Sequence, residues 1–132
     1  MKHVNFPHSA SLATTAATPR PEGGLLLIGP LGSYAFGYVL VDSGADYIVL
    51  PEKAGLSVGL RLPPTHTTTL SGVGGSVNAA LMHNITLEFQ SFQITADVMF
   101  DYSNSVRPLF GRSGIRALQD IGMDDKDWHW NP

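Results

Sequence analysis

The chain has 132 residues, of which 43% are hydrophobic and 14% charged, and its formal net charge at pH 7 is −3. This length suits one domain with one core, and the absence of any basic run argues against nucleic acid as a partner. The chain contains no cysteine, which excludes disulfides and cysteine-ligated metal.

Charged residues are about half as frequent as the ~25% typical of soluble domains, so we expect part of the apolar surface to be covered by a second copy of the chain. No apolar run approaches the ~18 residues that a membrane span needs. The first eight residues, Met1 to His8, lack the apolar core of a signal peptide. These features predict a soluble, cytoplasmic protein that does not bind membranes.

Residues 1–22 are rich in Ser, Ala, Thr and Pro. Pro19 and Pro21 flank Arg20 and favour extended backbone, since proline fixes φ and disfavours helix in the residue before it. We predict a tail or an outer strand here, with the folded domain running from residue 23 to 132.

From Gly23 onward, short apolar stretches alternate with turn signals. The predicted strands are residues 25–28, 34–41, 47–50, 81–89, 92–100 and 109–110. Residues 52–56 can form one helical turn, and the i, i+3, i+6 spacing of Ile115, Leu118 and Ile121 predicts a helix over about 113–121. The fold class is therefore all-β, a small closed barrel with one short C-terminal helix.

A separate hairpin is predicted between residues 65 and 81. Residues 65–70 include four threonines, a composition with strand propensity and little apolar content. Their partner strand would be residues 77–81, with Gly72, Gly74 and Gly75 at the tip. Glycines allow a tip that bends over a ligand, and a plain glycine-rich turn would have the same composition.

The most informative stretch is residues 38–46, where a run of apolar residues ends in Asp42, Ser43 and Gly44. A carboxylate at the end of a buried strand loses hydration and must be paired, hydrogen-bonded or protonated. Asp-Ser-Gly is also a common turn tripeptide, so this pattern alone leaves an ordinary turn open.

Three motifs in order carry a family resemblance. Residues 39–46 resemble the active-site signature of aspartic proteases, residues 71–76 resemble the flap tip of the retropepsin-like (retroviral-type) branch, and residues 109–112 are similar to its second signature. Together they organise residues 23–122. The longer tail and the lack of a surrounding polyprotein make a free-standing cellular or bacterial retropepsin-like aspartic protease the closer resemblance, and the barrel would be the acid-protease barrel.

The resemblance implies the chemistry of the site. Aspartic proteases hydrolyse peptide bonds with two carboxyl groups that share one proton. Because this chain has one such motif, an aspartic protease here would be a symmetric homodimer with an Asp42 from each subunit. Ser43 would hydrogen-bond to the other subunit's loop, and Gly44 would let backbone amides approach the carboxylates.

The resemblance also assigns binding and structural residues. Ala45 and Asp46 would hydrogen-bond substrate backbone, and the flap would contribute its backbone. Arg112 would pair with Asp46 and stiffen the loop and the dimer, although an exposed residue at a helix start is the alternative interpretation. The candidate flap and pocket residues, assigned by analogy, are Ile48, Leu70, Gly72, Val73, Gly74 and Leu109. Trp128 and Trp130 would pack at the dimer interface or against their own subunit.

The sequence departs from the family pattern at two places. Tyr47 stands where many viral members have an acid, and Ser113-Gly114 follows Gly111-Arg112 in place of Asn or Asp. The five histidines show no metal-ligand spacing, so neither a metal nor a cofactor is expected.

The first functional hypothesis is therefore a homodimeric endopeptidase that cleaves extended polypeptides between apolar residues at mildly acid pH. The alternative is a non-catalytic peptide-binding or dimerisation module on the same fold, since binding needs the cleft but no tuned carboxyl pair. A third possibility is that the motifs are coincidental turns in an ordinary β-barrel.

Overall fold

The structure is a computed structural model that describes residues 4–6, 8–10, 19–65, 67–72, 75–118, 121–123 and 128–130. It is mainly β, as predicted, with two short helices, α1 Glu52–Ser57 and α2 Arg112–Ala117. The strands are β1 Val4–Phe6, β2 His8–Ala10, β3 Pro19–Gly29, β4 Gly32–Val41, β5 Ile48–Pro51, β6 Thr68–Gly72, β7 Gly75–Phe89, β8 Phe92–Asp101, β9 Leu109–Phe110, β10 Ile121–Met123 and β11 Trp128–Trp130. Neither of the helices described is long and apolar enough to cross a membrane.

Eight strands form one sheet in the order β2-β3-β4-β9-β5-β8-β7-β6, and β3 also pairs with β7. The pairs β4–β9 and β5–β8 are parallel, whereas the remaining pairs are antiparallel. The two-residue strand β9 lies between β4 and β5, so a segment late in the chain is placed beside the end of β4. Strands β1, β11 and β10 form a second, three-stranded sheet.

The hairpin of β7 and β8 follows the predicted alternation. Ile85, Leu87 and Phe89 are buried on β7, as are alternate residues of β8 from Ile94 to Phe100. Its turn, Gln90-Ser91, has positive φ at both residues, 48° and 71°, the backbone twist that suits a two-residue hairpin. Unlike the prediction, β7 is one strand of 15 residues that serves both hairpins, with a register shift between Met82 and Ile85.

The main core lies between β3, β4, β5, β7, β8 and the two helices. Its largest fully buried side chains are Phe89, Phe100 and Phe110, and the rings of Phe89 and Phe110 stack with centroids 4.0 Å apart. Burying one such side chain contributes about 1.5–3 kcal/mol. A smaller apolar cluster centres on Val49, Ala79 and Met99.

The second helix is shorter than predicted. It ends at Ala117, and Leu118 adopts an extended ψ of 128° while its side chain is buried in the main core. Residues 121–123 form strand β10, so Ile121 is not on the helix. The predicted helix over about 113–121 is therefore correct only in its first half: Ile115 lies on α2, Leu118 caps its end, and Ile121 belongs to the next element.

The N-terminal segment contains strand pairing. Strand β2 pairs with the start of β3, Ser9 opposite Arg20, and β3 runs from Pro19 through the predicted boundary at residue 23. Residues 19–22 are therefore continuous with the first long strand of the main sheet.

Candidate active site

Asp42 directly follows β4 and begins a tight turn. Its amide donates to the Phe110 carbonyl oxygen at 3.0 Å, which extends the parallel pairing of β4 with β9. Its carboxylate Oδ1 accepts from the Gly44 amide at 2.9 Å, and its carbonyl oxygen accepts from the Ala45 amide at 3.2 Å. A Cβ at Gly44 would lie 3.1 Å from Asp42 Oδ1, so a larger residue would crowd the carboxylate.

The second motif, residues 109–112, docks against this turn. The amides of Arg112 and Ser113, in the first turn of α2, donate to the carbonyl oxygens of Ala45 and Asp46 at 2.8 and 3.0 Å. Helix N-termini have unpaired amides that need such acceptors. A Cβ on Gly111 would lie 2.2 Å from the Tyr47 carbonyl oxygen, so only glycine allows this docking.

Ser113 connects three elements behind the turn. Its buried hydroxyl donates to the Asp97 carbonyl oxygen at 2.7 Å and accepts from the Ile48 amide at 2.9 Å. It therefore joins α2 to β5 and β8. In the sequence, Ser113 stood out only as a departure from the family pattern. A serine after Gly-Arg does not by itself predict hydrogen bonds to two distant strands.

The structure contains the ion pair between Arg112 and Asp46. The Arg112 guanidinium donates to Asp46 Oδ1, and Arg112 is also the first residue of α2. The two side chains are 54% and 68% exposed. At that exposure the pair contributes at most about 1 kcal/mol to stability within one chain.

A cleft of about 1010 Å³ opens above Asp42. The turn after β4 lines one part of it and the hairpin of β6 and β7 another. Ser105, Val106 and Leu109 line a third part, and we call residues 105–109 the end wall. The lining residues are Asp42, Gly44, Ala45, Asp46, Tyr47, Val49, Thr68, Thr69, Leu70, Ser71, Gly75, Val77, Leu81, Met99, Ser105, Val106 and Leu109. Of the residues named from the sequence, the cleft brings together Asp42, Gly44, Ala45, Asp46, Leu70 and Leu109.

Ile48 is wrong as a pocket residue. Its side chain is fully buried in the main core, where its Cδ1 lies against Gly114. Successive strand residues point to opposite faces, so its neighbours Tyr47 and Val49 line the cleft.

Other predicted residues fall at the limits of the described chain. Val73 and Gly74 lie outside the described residues, and Gly72 pairs with Gly75 across the hairpin. The backbones of Trp128 and Trp130 are in β11, but their side chains lie outside the described part of the structure. Ser43 is exposed, and the structure records no hydrogen bond from its hydroxyl to the residues it describes.

Sequence reasoning missed Ser105 and Val106, the first two residues of the end wall. Asp101 holds both of them in place. Asp101 is fully buried and accepts four hydrogen bonds, from the amide and hydroxyl of Ser103 at 2.8 and 2.5 Å and from the amides of Ser105 and Val106 at 3.0 and 2.8 Å. An Asp followed by serines two and four residues on is a signal for such a turn.

The environment of Asp101 favours its ionised form. Burial raises the pKa of this carboxyl, but the Ser103 hydroxyl and the three backbone amides outweigh burial and hold the pKa below its ordinary value. Hydrogen bonds to a carboxylate stabilise its charged form. Asp101 is therefore a structural anion and does not face the cleft as a second acid.

No family model matches the chain, and no curated protein sequence matches it. The resemblance to retropepsin-like proteases therefore consists of the three sequence motifs alone. In the structure, two of these motifs, residues 39–46 and 109–112, are hydrogen-bonded to each other.

Proposed function

We propose that the protein is a homodimeric, retropepsin-like aspartic endopeptidase. The observation that carries the proposal is the docking of residues 109–112 against the turn at Asp42, which presents the carboxylate to a cleft covered by a hairpin. No other residue can replace Gly111, because an added Cβ would clash with neighbouring backbone. A simple surface turn would not need such a glycine beside it.

The proposal requires a second carboxyl group, and the described part of one chain does not offer one. Asp46 lines the cleft but is paired with Arg112. Asp101 is buried under four hydrogen bonds. The second acid is therefore Asp42 of a second copy, brought close by a two-fold axis.

The chemistry follows from that pairing. Two carboxyls about 3 Å apart cannot both ionise, so they hold one proton between them. The ionised Asp42 removes a proton from a water molecule as its oxygen attacks the peptide carbonyl carbon, and the protonated Asp42 gives its proton to the carbonyl oxygen. The carboxyl that took the water proton then donates it to the nitrogen, while the other carboxylate accepts a proton from a hydroxyl group of the tetrahedral intermediate. The C–N bond breaks, and the pair of carboxyls again holds one proton.

Three further features support the dimer and the fold. The Ser43 hydroxyl is exposed beside Asp42, where it can bond to the partner's turn. Charged residues make up only 14% of the chain, which suits a covered surface. The pairing of β3 with both β4 and β7 favours closure of the sheet into an acid-protease barrel.

The cleft indicates the substrate class. Val49, Leu70, Met99 and Leu109 give it an apolar lining, and β6 is the outermost strand of the sheet, with backbone groups able to pair with an extended chain. We propose extended polypeptide with apolar side chains next to the cleaved bond.

Asp42→Asn tests the function. We expect the variant to lose hydrolysis of an apolar peptide library by at least about a thousandfold, with circular dichroism and sedimentation unchanged. Asp97→Asn, which removes a carboxylate outside the cleft lining, is the matched control and should cleave normally.

Retained cleavage in Asp42→Asn, or an active monomer, would contradict the proposal. Equal binding of a statine-type transition-state analogue to wild type and variant, with no cleavage by either, would instead support a non-catalytic peptide-binding module.

A further inference from the structure

Residues 102–108 join β8 to β9, and residues 105–109 form the end wall of the cleft. Ser105, Val106 and Leu109 line it, yet residues 102–108 contain no helix or strand. Their position relative to Asp42 therefore depends on side-chain contacts. Asp101 fixes the first part of this wall through the amides of Ser103, Ser105 and Val106.

A second contact fixes the other end. Arg107 Nη2 donates to Glu22 Oε1 at 2.9 Å, although the two residues are 85 positions apart. Glu22 is 4% exposed and Arg107 is 37% exposed. A buried carboxylate is costly unless it is paired, so this contact holds both residues in place.

The sheet register relates this contact to the site. Glu22 lies opposite Leu40 on β4, and Leu40 lies opposite Leu109 on β9. Residues directly opposite one another have side chains on the same face of a sheet. Glu22 therefore lies on the face that carries Leu109, which lines the cleft, and Arg107 is two residues before Leu109.

We propose that Arg107 is a positioning residue: its ion pair with Glu22 holds the wall of residues 105–109 against β3, the neighbour of the strand β4 that delivers Asp42, and thereby sets the affinity of the cleft for substrate. This inference rests on the proposed function. It assigns a role in specificity to two residues outside the three motifs.

Arg107→Met tests the inference, because methionine keeps an apolar stem and loses the charge and donors. We expect KM for an apolar peptide substrate to rise about tenfold while kcat stays within about twofold, since the wall contacts substrate and leaves the carboxyls in place. Amide hydrogen exchange in residues 102–109 should become faster. Arg107→Lys, which keeps the charge, should restore part of both effects.

Arg116→Met is the matched control, since it removes the same charge from an exposed residue of α2, and it should behave as wild type. The inference is overturned if KM is unchanged in Arg107→Met. It is also overturned if kcat alone falls, in proportion to the loss of folded protein. Unchanged exchange in residues 102–109 overturns the positioning role by itself. A wild-type chain that cleaves no peptide refutes the proposed function, so the two failures are distinguishable.

Discussion

The two sides of the cleft are built in different ways. The turn at Asp42 is held by β9, by the first amides of α2 and, through Ser113, by β5 and β8. The opposite side is the hairpin of β6 and the first part of β7, in which β6 pairs only with β7 among the described strands. Thr69, Ser71, Ser76 and Asn78 of this hairpin are exposed.

The turn at Asp42 is therefore held by several elements, whereas the hairpin of β6 and β7 is held by few. Hydrogen bonds from several elements hold the turn at Asp42, and in the proposed enzyme they would position its carboxylate without reorganisation. A hairpin with few buried side chains opens at low cost in free energy, and coverings of active sites are drawn from such regions. Substitutions on the Asp42 side should therefore affect stability and activity together, whereas those on the hairpin should affect chiefly substrate binding.

The largest effect is expected from Gly111→Ala. The added methyl group would meet the Tyr47 and Ala45 carbonyl oxygens at 2.2 and 2.7 Å, and backbone atoms cannot move aside as side chains do. We expect a loss of more than about 3 kcal/mol in the free energy of unfolding, above the usual range for overpacking, measured by chemical denaturation.

Gly37→Ala is the control, because a Cβ there meets nothing within 4 Å. It should change stability by less than about 1 kcal/mol. Equal stability of the two variants would show that the docking of residues 109–112 is not as close as described.

An intermediate effect is expected from Asp101→Asn. The amide nitrogen would face one pair of donors, either those of Ser103 or those of Ser105 and Val106, so the free energy of unfolding should fall by about 1.5–3 kcal/mol at pH 7. Because the folded-state pKa of Asp101 is lowered, its stabilisation is present above the ordinary carboxyl pKa and is lost as pH falls through the folded-state pKa.

Denaturation at pH 7 and at pH values below 3.8, the ordinary value for this group, measures this linkage. The stability difference between wild type and Asp101→Asn should shrink in acid. A constant difference at all pH values would contradict the anionic role of Asp101.

The smallest effect on stability is expected at the hairpin. Gly75 has φ +112° with open space around its Cβ position, so Gly75→Ala introduces backbone strain and no clash. We expect a stability loss of about 1 kcal/mol and a larger relative rise in KM than fall in kcat, by steady-state kinetics.

Ser76→Ala is the companion variant, since it removes only the exposed hydroxyl that lies 3.2 Å from the Ser71 hydroxyl. Its stability should stay within about 0.5 kcal/mol of wild type. A fall in kcat without a change in KM for Gly75→Ala would place the hairpin in the chemistry and remove the distinction between the two sides.

Much of the fold could be predicted from local pattern. The alternation of apolar and polar residues on β7 and β8 predicted their hairpin. Asp42 was singled out because a carboxylate ends an apolar strand there and because residues 39–46 resemble the aspartic-protease signature; the strand pattern alone left an ordinary turn open. Ile48 was misassigned because apolar character does not tell which face of β5 is covered. Nothing in the sequence predicted the ion pair between Glu22 and Arg107. The hydrogen bond between Asp101 and Ser103 had only a weak sequence signal, an Asp followed by serines.

By itself, the sequence determined the strand periods, the acid at the end of β4 and the glycine at position 44, since these depend on neighbours along the chain. The need for glycine at position 111 comes from the carbonyl oxygens of Ala45 and Tyr47, which only the folded chain brings to it. Only the tertiary structure decided that β9 lies between β4 and β5, that Val49 faces the cleft in place of Ile48, and that Glu22 meets Arg107. The reason is physical: sheet order and buried ion pairs join residues far apart in the chain, and their free energy depends on the space that the whole core leaves for them.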